Sequence, residues 1–312
     1  MTPPPPAVVV IGESVMDVIA DHDGNRSVTP GGSALNVAVA LGRLEVPVQF
    51  VTALGQDRYG DRIRAHLRAA GTQVVSAEPA GARTSVATAT LAADGSATYD
   101  LDVTWDLRAD VPVAEAGLVH AGSLALFLEP GASRVRELLE AARRRGAVVS
   151  LDPNIRPSLL PPRQEVRSRF ERLCAHAHIV KLSDEDASWL YPGHAPGDVT
   201  GRLLGLGVSL VGLTAGAGGS LLASGAHRVQ VPPVAARVVD TIGAGDAYLS
   251  GLLRKVLELE LADALRGPGA IPADTLRAVG GFAALTAGVT VTRRGADPPA
   301  LSELGSGIAN DH

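Results

Sequence analysis

The chain has 312 residues, 46% hydrophobic, 20% charged and only 3% aromatic, enough to bury a sizeable core built mostly from Ala, Val and Leu. A formal net charge of −5 offers no basic footprint for nucleic acid. Cys174 is the only cysteine, which excludes an intrachain disulfide and a cysteine-based zinc site and fits a reduced, cytoplasmic compartment.

Pro3 to Pro6 read as a frayed lead-in, and the apolar run Ala7 to Ile11 behind them is too short for a signal sequence or a membrane span. A protein free of the membrane is expected. Val8 to Ile11 reads as a buried strand ended by Gly12. Glu13 to Asp21 alternates with acidic residues on one side, as a half-exposed strand does. Pro30-Gly31-Gly32-Ser33-Ala34-Leu35-Asn36 opens a helix to about Arg43. A strand at Val48 to Leu54 and a helix at Tyr59 to Ala70 follow. Ser85 to Ala92 and Ala97 to Val103 flank Ala93-Asp94-Gly95-Ser96, whose Asp-Gly pair signals a hairpin. A hairpin is out of step with strand-helix units. It is assigned, with Met16 to Ile19, to a small accessory sheet within about 13–30 and 84–105 that can cover a site.

From Leu118 the alternation is regular, with strands at 118–122, 147–152, 178–182 and 208–214 and helices at 133–145, 163–176, 184–190 and 198–206. This predicts an α/β fold: a mostly parallel sheet with helices on both faces and ligands at the carboxyl ends of its strands. Ser220 to Val231 is a hairpin-like pair, Thr275 to Val289 an Ala-rich helix, and Val291 to Ala296 closes the fold. No repeat or long linker divides the chain, so 1–312 is read as one domain.

The chemistry centres on Val239-Asp240-Thr241-Ile242-Gly243-Ala244-Gly245-Asp246-Ala247, which leads into an apolar-periodic helix from Tyr248 to Leu259. A glycine turn delivered onto a helix N-terminus offers unpaired N–H groups and a positive dipole to an anion. A carboxylate beside that anion needs an explanation. Asp246 supplies one if it accepts a hydroxyl proton as the oxygen attacks phosphorus. The plainer alternative is a helix-terminus carboxylate that merely suits the dipole. Neither G-x-x-x-x-G-K-[ST] nor G-x-G-x-x-G is present, so a P-loop enzyme and a nicotinamide dehydrogenase both lose ground.

Asp240 to Asp246 resembles the C-terminal signature of the PfkB, or ribokinase-like, sugar kinases, and Gly31-Gly32-Ser33-Ala34-Leu35-Asn36 resembles their N-terminal one. The resemblance implies a three-layer α/β/α fold with a small β-sheet lid, and ATP-dependent phosphorylation of a sugar hydroxyl. It implies Asp246 as the base and the Gly243, Ala244, Gly245 and Asp246 turn as the anion hole. Asp17, Gly32 and Asn36 match positions that bind sugar hydroxyls, although Asn36 could instead bond nearby backbone. Thr214-Ala215-Gly216-Ala217-Gly218-Gly219 resembles the family's nucleotide loop at Thr214, Gly216 and Gly219.

Where the family has N-x-x-E, this chain has Ser183 and Asp186. The resemblance implies that Asp186 reaches magnesium through water, with Ser183 beside the nucleotide; alternatively both cap the next helix. Lys181 meets nucleotide phosphate or offsets that acidic run. Asp152-Pro153-Asn154-Ile155-Arg156 is the pattern of fructokinases and 2-keto-3-deoxygluconate kinases, with Arg156 facing the substrate or lying on a surface turn. The acidic Tyr99-Asp100-Leu101-Asp102 would repel a substrate carboxylate, which favours fructose. Asp240 is a candidate for a monovalent cation such as K+. His176 and His178 lack a third nearby metal ligand.

The expected protein is thus a fructokinase using ATP and Mg2+, with a homodimer through the lid as a further expectation. The rivals are a 2-keto-3-deoxygluconate kinase, a ribokinase or nucleoside kinase, a sugar-binding regulator and a Rossmann oxidoreductase.

Overall fold

A computed structural model describes residues 7–20, 25–91, 97–108, 111, 113 and 115–305. The proline lead-in, Asp21 and the Asp94-Gly95 hairpin tip lie outside the described residues. The first part of the chain forms β1 (Val8–Ile11), β2 (Val15–Ala20), β3 (Arg26–Gly31), α1 (Ser33–Arg43), β4 (Val48–Thr52), α2 (Arg58–Ala69), β5 (Gln73–Ser76), β6 (Ser85–Leu91) and β7 (Ala97–Asp102). The middle forms β8 (Leu118–Gly122), α3 (Gly131–Arg144), β9 (Val148–Asp152), α4 (Arg163–Cys174), β10 (Ile179–Ser183), α5 (Asp184–Leu190), α6 (Pro196–Gly205) and β11 (Leu210–Thr214). Then come β12 (Ser220–Ser224), β13 (His227–Val231), α7 (Ala244–Glu258), α8 (Ala262–Arg266), α9 (Ala273–Thr290) and α10 (Leu301–Leu304).

Among the described residues one sheet has nine strands in the order β13-β12-β11-β10-β9-β8-β1-β4-β5, parallel except for β12 and β13. After β1 the chain adds β4 and β5 on one side and then β8 to β11 on the other. The carboxyl ends of β1 and β8 therefore border the crevice where strand order reverses. β1 is apolar throughout because both of its faces are covered. Val8 and Val10 join a core with Leu35, Ile63, Leu249 and Val279; Val9 and Ile11 join another with Val135, Phe170, Leu190 and Leu203. Helices α1, α2, α7 and α9 form one outer layer, and α3 to α6 the other. Each fully buried Leu contributes about 1.5–3 kcal/mol.

A chain so poor in aromatics packs by close approach. A Cβ added to Gly251 of α7 would stand 2.9 Å from Ala283 Cα and 2.6 Å from Thr286 Oγ1 of α9, so those two helices touch nearly backbone to backbone.

A second sheet has the order β3-β2-β6-β7, with β2 and β6 parallel and the other pairs antiparallel. The sequence predicts a helix opening at Pro30-Gly31; instead Arg26–Gly31 is a strand against β2, and α1 begins at Ser33. The sequence also gives no sign of β5, a four-residue edge strand without a fully buried side chain, or of the short α8 and α10. The root of β6 is tied to the large sheet by Asp57, which caps α2 through the amides of Tyr59 and Gly60 and accepts the Thr84 N–H at 2.9 Å. No helix among the described residues is long and apolar enough to cross a membrane.

Candidate active site

The extended run after β13 is fixed where Val239 and Asp240 donate their amides to Val291 O, at 2.8 and 3.2 Å. The Asp240 carboxylate accepts the Ile242 N–H at 3.0 Å and the Gly295 N–H at 2.8 Å, and these bonds hold it below the usual carboxylate range. Gly243 then turns the chain into α7 at φ 76°, a left-handed conformation that disfavours a side chain. A Cβ there would also come within 2.6 Å of Ala296 Cβ. The segment that carries Ala296 is held in turn by Arg43 at the end of α1, which pairs with Asp297 and donates to Pro298 O.

The first turn of α7 presents fewer free donors than expected. The Ala244 amide closes the turn on Thr241 O at 3.2 Å, and the Ala247 amide bonds Gly243 O. The N–H groups of Gly245 and Asp246 have no backbone acceptor. The positive end of α7's dipole lies at the same point.

Asp246 sits at that point and is 7% exposed. Its Oδ1 accepts from Ser33 Oγ at 2.6 Å and its Oδ2 from Asn36 Nδ2 at 2.8 Å. Ser33 and Asn36 are three residues apart on α1, hence on one face of it. Burial pushes the Asp246 carboxyl above its ordinary value, while Ser33, Asn36, Lys181 and Arg156 pull it back. Ser33 escaped the sequence reading, although its spacing from Asn36 was the available signal. Asn36, expected at sugar hydroxyls, also donates to the Asp246 carboxylate.

Asp17 of β2 is half-buried, with its carboxylate in the space beside Gly31 where a Cβ would collide with it. Burial pushes its carboxyl up. Gly32, at φ 110°, caps α1 and passes close to Glu13 O. Asp17, Gly32, Ser33, Asn36 and Asp246 are thus gathered around the start of α1. Arg156 is exposed beyond β9, close enough for its charge to act on Asp246. Thr214 ends β11, and Gly216 and Gly219 take φ values of 49° and 80° in a compact turn closed by the Ala215 N–H bond to Gly219 O at 2.8 Å.

Three further expected site residues make hydrogen bonds within the protein. Ser183 and Asp186 form a capping box on α5, and Asp186 uses its remaining oxygen to accept the Ile155 N–H at 2.7 Å. The capping alternative accounts for both. Lys181 is buried beneath the α7 turn and donates to the buried Asp152 at 2.9 Å, and Asp186 of the acidic run it was expected to offset also acts on its charge. Burial opposes its charge, but Asp152, Asp186 and Asp246 outweigh that and hold the ammonium protonated. Burial pushes Asp152 up to about 6 against the pull of Lys181. His178 accepts the Val149 N–H at 2.9 Å, a structural task, and no cluster of three or more metal-ligating side chains occurs among the described residues.

Residues 6–303 match the family model described as pfkB family carbohydrate kinase. The chain is 32% identical over 319 residues to fructokinase-1 of Oryza sativa subsp. japonica, covering 95% of each. Among solved structures it is similar to a fructokinase with bound ATP from Xylella fastidiosa, with a TM-score of 0.81, 28% identity and 96% and 97% of the two chains covered. It is also similar to an aminoimidazole riboside kinase from Salmonella enterica complexed with aminoimidazole riboside and an ATP analog, with a TM-score of 0.78, 25% identity and 96% and 98% covered.

Proposed function

The chain belongs to the pfkB family of carbohydrate kinases, and on that premise we propose that it transfers the terminal phosphoryl group of ATP to a hydroxyl of fructose. The observation that carries this reading is the Asp246 carboxylate, buried beside two free amides of α7 and aligned from α1 by Ser33 and Asn36. Asp246 accepts the hydroxyl proton while that oxygen bonds to the terminal phosphorus. The bond from phosphorus to the ADP oxygen breaks, and ADP leaves with the electron pair. The N–H groups of Gly245 and Asp246 stabilise charge on the transferred group, so positioning and electrostatics supply most of the rate.

Asp17, Gly32 and Asn36 face the sugar in this reading, with Arg156 at its edge and the small sheet as a lid. Thr214, Gly216 and Gly219 frame the nucleotide. The residues present do not form a cage for magnesium, since Asp186 spends both oxygens on backbone N–H groups. Magnesium would be held mainly by the nucleotide's own phosphates and water, with Asp186 reaching it at most through water. Asp240 gives one backbone amide to each oxygen and so clamps the turn, and the remaining lone pairs would suit a monovalent cation such as K+.

Fructose is favoured by the likeness to the Oryza sativa fructokinase; Asp100 and Asp102, exposed on β7, lie on the face of the small sheet opposite Asp17 and do not bear on the choice. A nucleoside is the second reading, favoured by the likeness to the riboside kinase. ADP release is to be measured over fructose, 2-keto-3-deoxygluconate, ribose, adenosine and glucose, with Asp246→Asn as control. Fructose-dependent release lost in the variant is expected. Release with another sugar overturns the substrate, and sugar binding without ADP release turns the reading toward a regulator.

A further inference from the structure

Beneath the α7 turn lies a charged pair that the proposed transfer leaves without a task. Lys181, from β10, is 3% exposed, and Asp152, from β9, is fully buried. Lys181 Nζ donates to Asp152 Oδ2 at 2.9 Å, and Asp152 Oδ1 accepts the Asn154 N–H at 3.2 Å. A Cβ built on Gly245 would stand 3.0 Å from Nζ, so the ammonium presses against the underside of the turn whose free amides face the anion. Gly245 has no side chain to separate them. A buried ion pair is often no more stabilising than apolar residues of the same volume, so stability alone gives little reason for this one.

Resting on the kinase reading, we propose that the Asp152–Lys181 pair is the electrostatic floor of the α7 turn, positioning it from below and holding Asp246 as the carboxylate that receives the substrate proton. Asp246 is faced by Lys181 from β10, Asp152 from β9 and Arg156 from the loop after β9, with the uncharged Ser33 and Asn36 from α1. Asp186 of α5 acts on Lys181, and Asp17 of the small sheet lies against Gly31. His120 of β8 is fully buried and neutral, pushed down to about 3 by burial and by Lys181. The two members of the pair act on Asp246 with opposite sign.

The test follows Asp246 directly, by carboxyl 13C NMR titration of the full chain with its resonance assigned through the loss in Asp246→Asn, and in parallel by the pH profile of kcat/KM for ADP release. Lys181→Met should move the Asp246 midpoint and the acid limb up by about one pH unit, and Asp152→Asn should move both down. The double variant removes both charges, and should return the midpoint to within about half a unit of wild type while kcat falls about tenfold with KM for ATP nearly unchanged. Midpoints unmoved, or moved the same way, in the two single variants overturn the proposal. If a single variant fails to fold, a double variant with wild-type kcat overturns it instead. Midpoints that move as expected in a protein that phosphorylates no sugar overturn the kinase reading and leave the pair's role standing.

Discussion

Replacing Glu13 with glutamine should stabilise the protein at neutral pH and leave it nearly unchanged in acid. Glu13 follows β1, is 2% exposed and accepts the Ala125 N–H at 3.0 Å, with Ser123 and Leu124 as further partners. Burial is the largest influence, and it pushes the carboxyl from 4.5 up to about 7 against those hydrogen bonds. Because the folded value lies above the unfolded one, Glu13's contribution to stability is whole below about pH 4.5 and is lost as the pH rises through about 7. A gap of about 2.5 units, at about 1.4 kcal/mol each, makes the loss about 3 kcal/mol. Glutamine keeps an acceptor oxygen for Ala125 and carries no charge to desolvate. Urea unfolding of both proteins, followed by Trp fluorescence, should give midpoint stabilities within about 0.5 kcal/mol at about pH 4.5, and a variant ahead by about 3 kcal/mol at about pH 8. A difference of the same size at both pH values would refute the reasoning.

Asp246→Asn should lower turnover about a thousandfold while sugar affinity, read by calorimetry, stays within several-fold; preserved turnover would sink the base assignment. Ser33→Ala removes a bond that holds the Asp246 carboxyl down, so the acid limb of kcat/KM should move to higher pH and kcat should fall about threefold to tenfold. An unmoved limb would mean that Ser33 does not tune the base. Gly243→Ala should cost about 1–3 kcal/mol in denaturant unfolding because of its φ of 76° and the approach to Ala296. Adding Ala296→Gly relieves the collision alone and should recover part of that loss; no recovery would place the whole cost in the backbone.

The alternating rhythm from Leu118 onward was legible because each strand there is a short, mostly apolar run and each helix carries one buried face, a local pattern that survives burial on both sides of a sheet. The turn at Gly243 was legible for the same reason, since glycine spacing is a local property. β3 was missed because Arg26–Gly31 is mostly exposed and ends in Pro30-Gly31, so its pairing with β2 leaves no apolar alternation. Ser33 and Asp246 are 213 positions apart, and Lys181 and Asp152 are 29 apart. Nothing in the spacing of either pair announces a contact made only when separate strands and helices converge. Ser183 and Asp186 show the converse: a short local pattern fits a cap and a ligand equally, and only the hydrogen bonds separate them.

The α7 turn is braced from late in the chain, with Gly295 on Asp240, Ala296 on Gly243 and Asp297 tied back to Arg43. A polypeptide emerging from the ribosome therefore completes the nine described strands of the large sheet before the residues that brace the α7 turn are made. The order of synthesis thus sets the frame of the sheet before the brace of the turn.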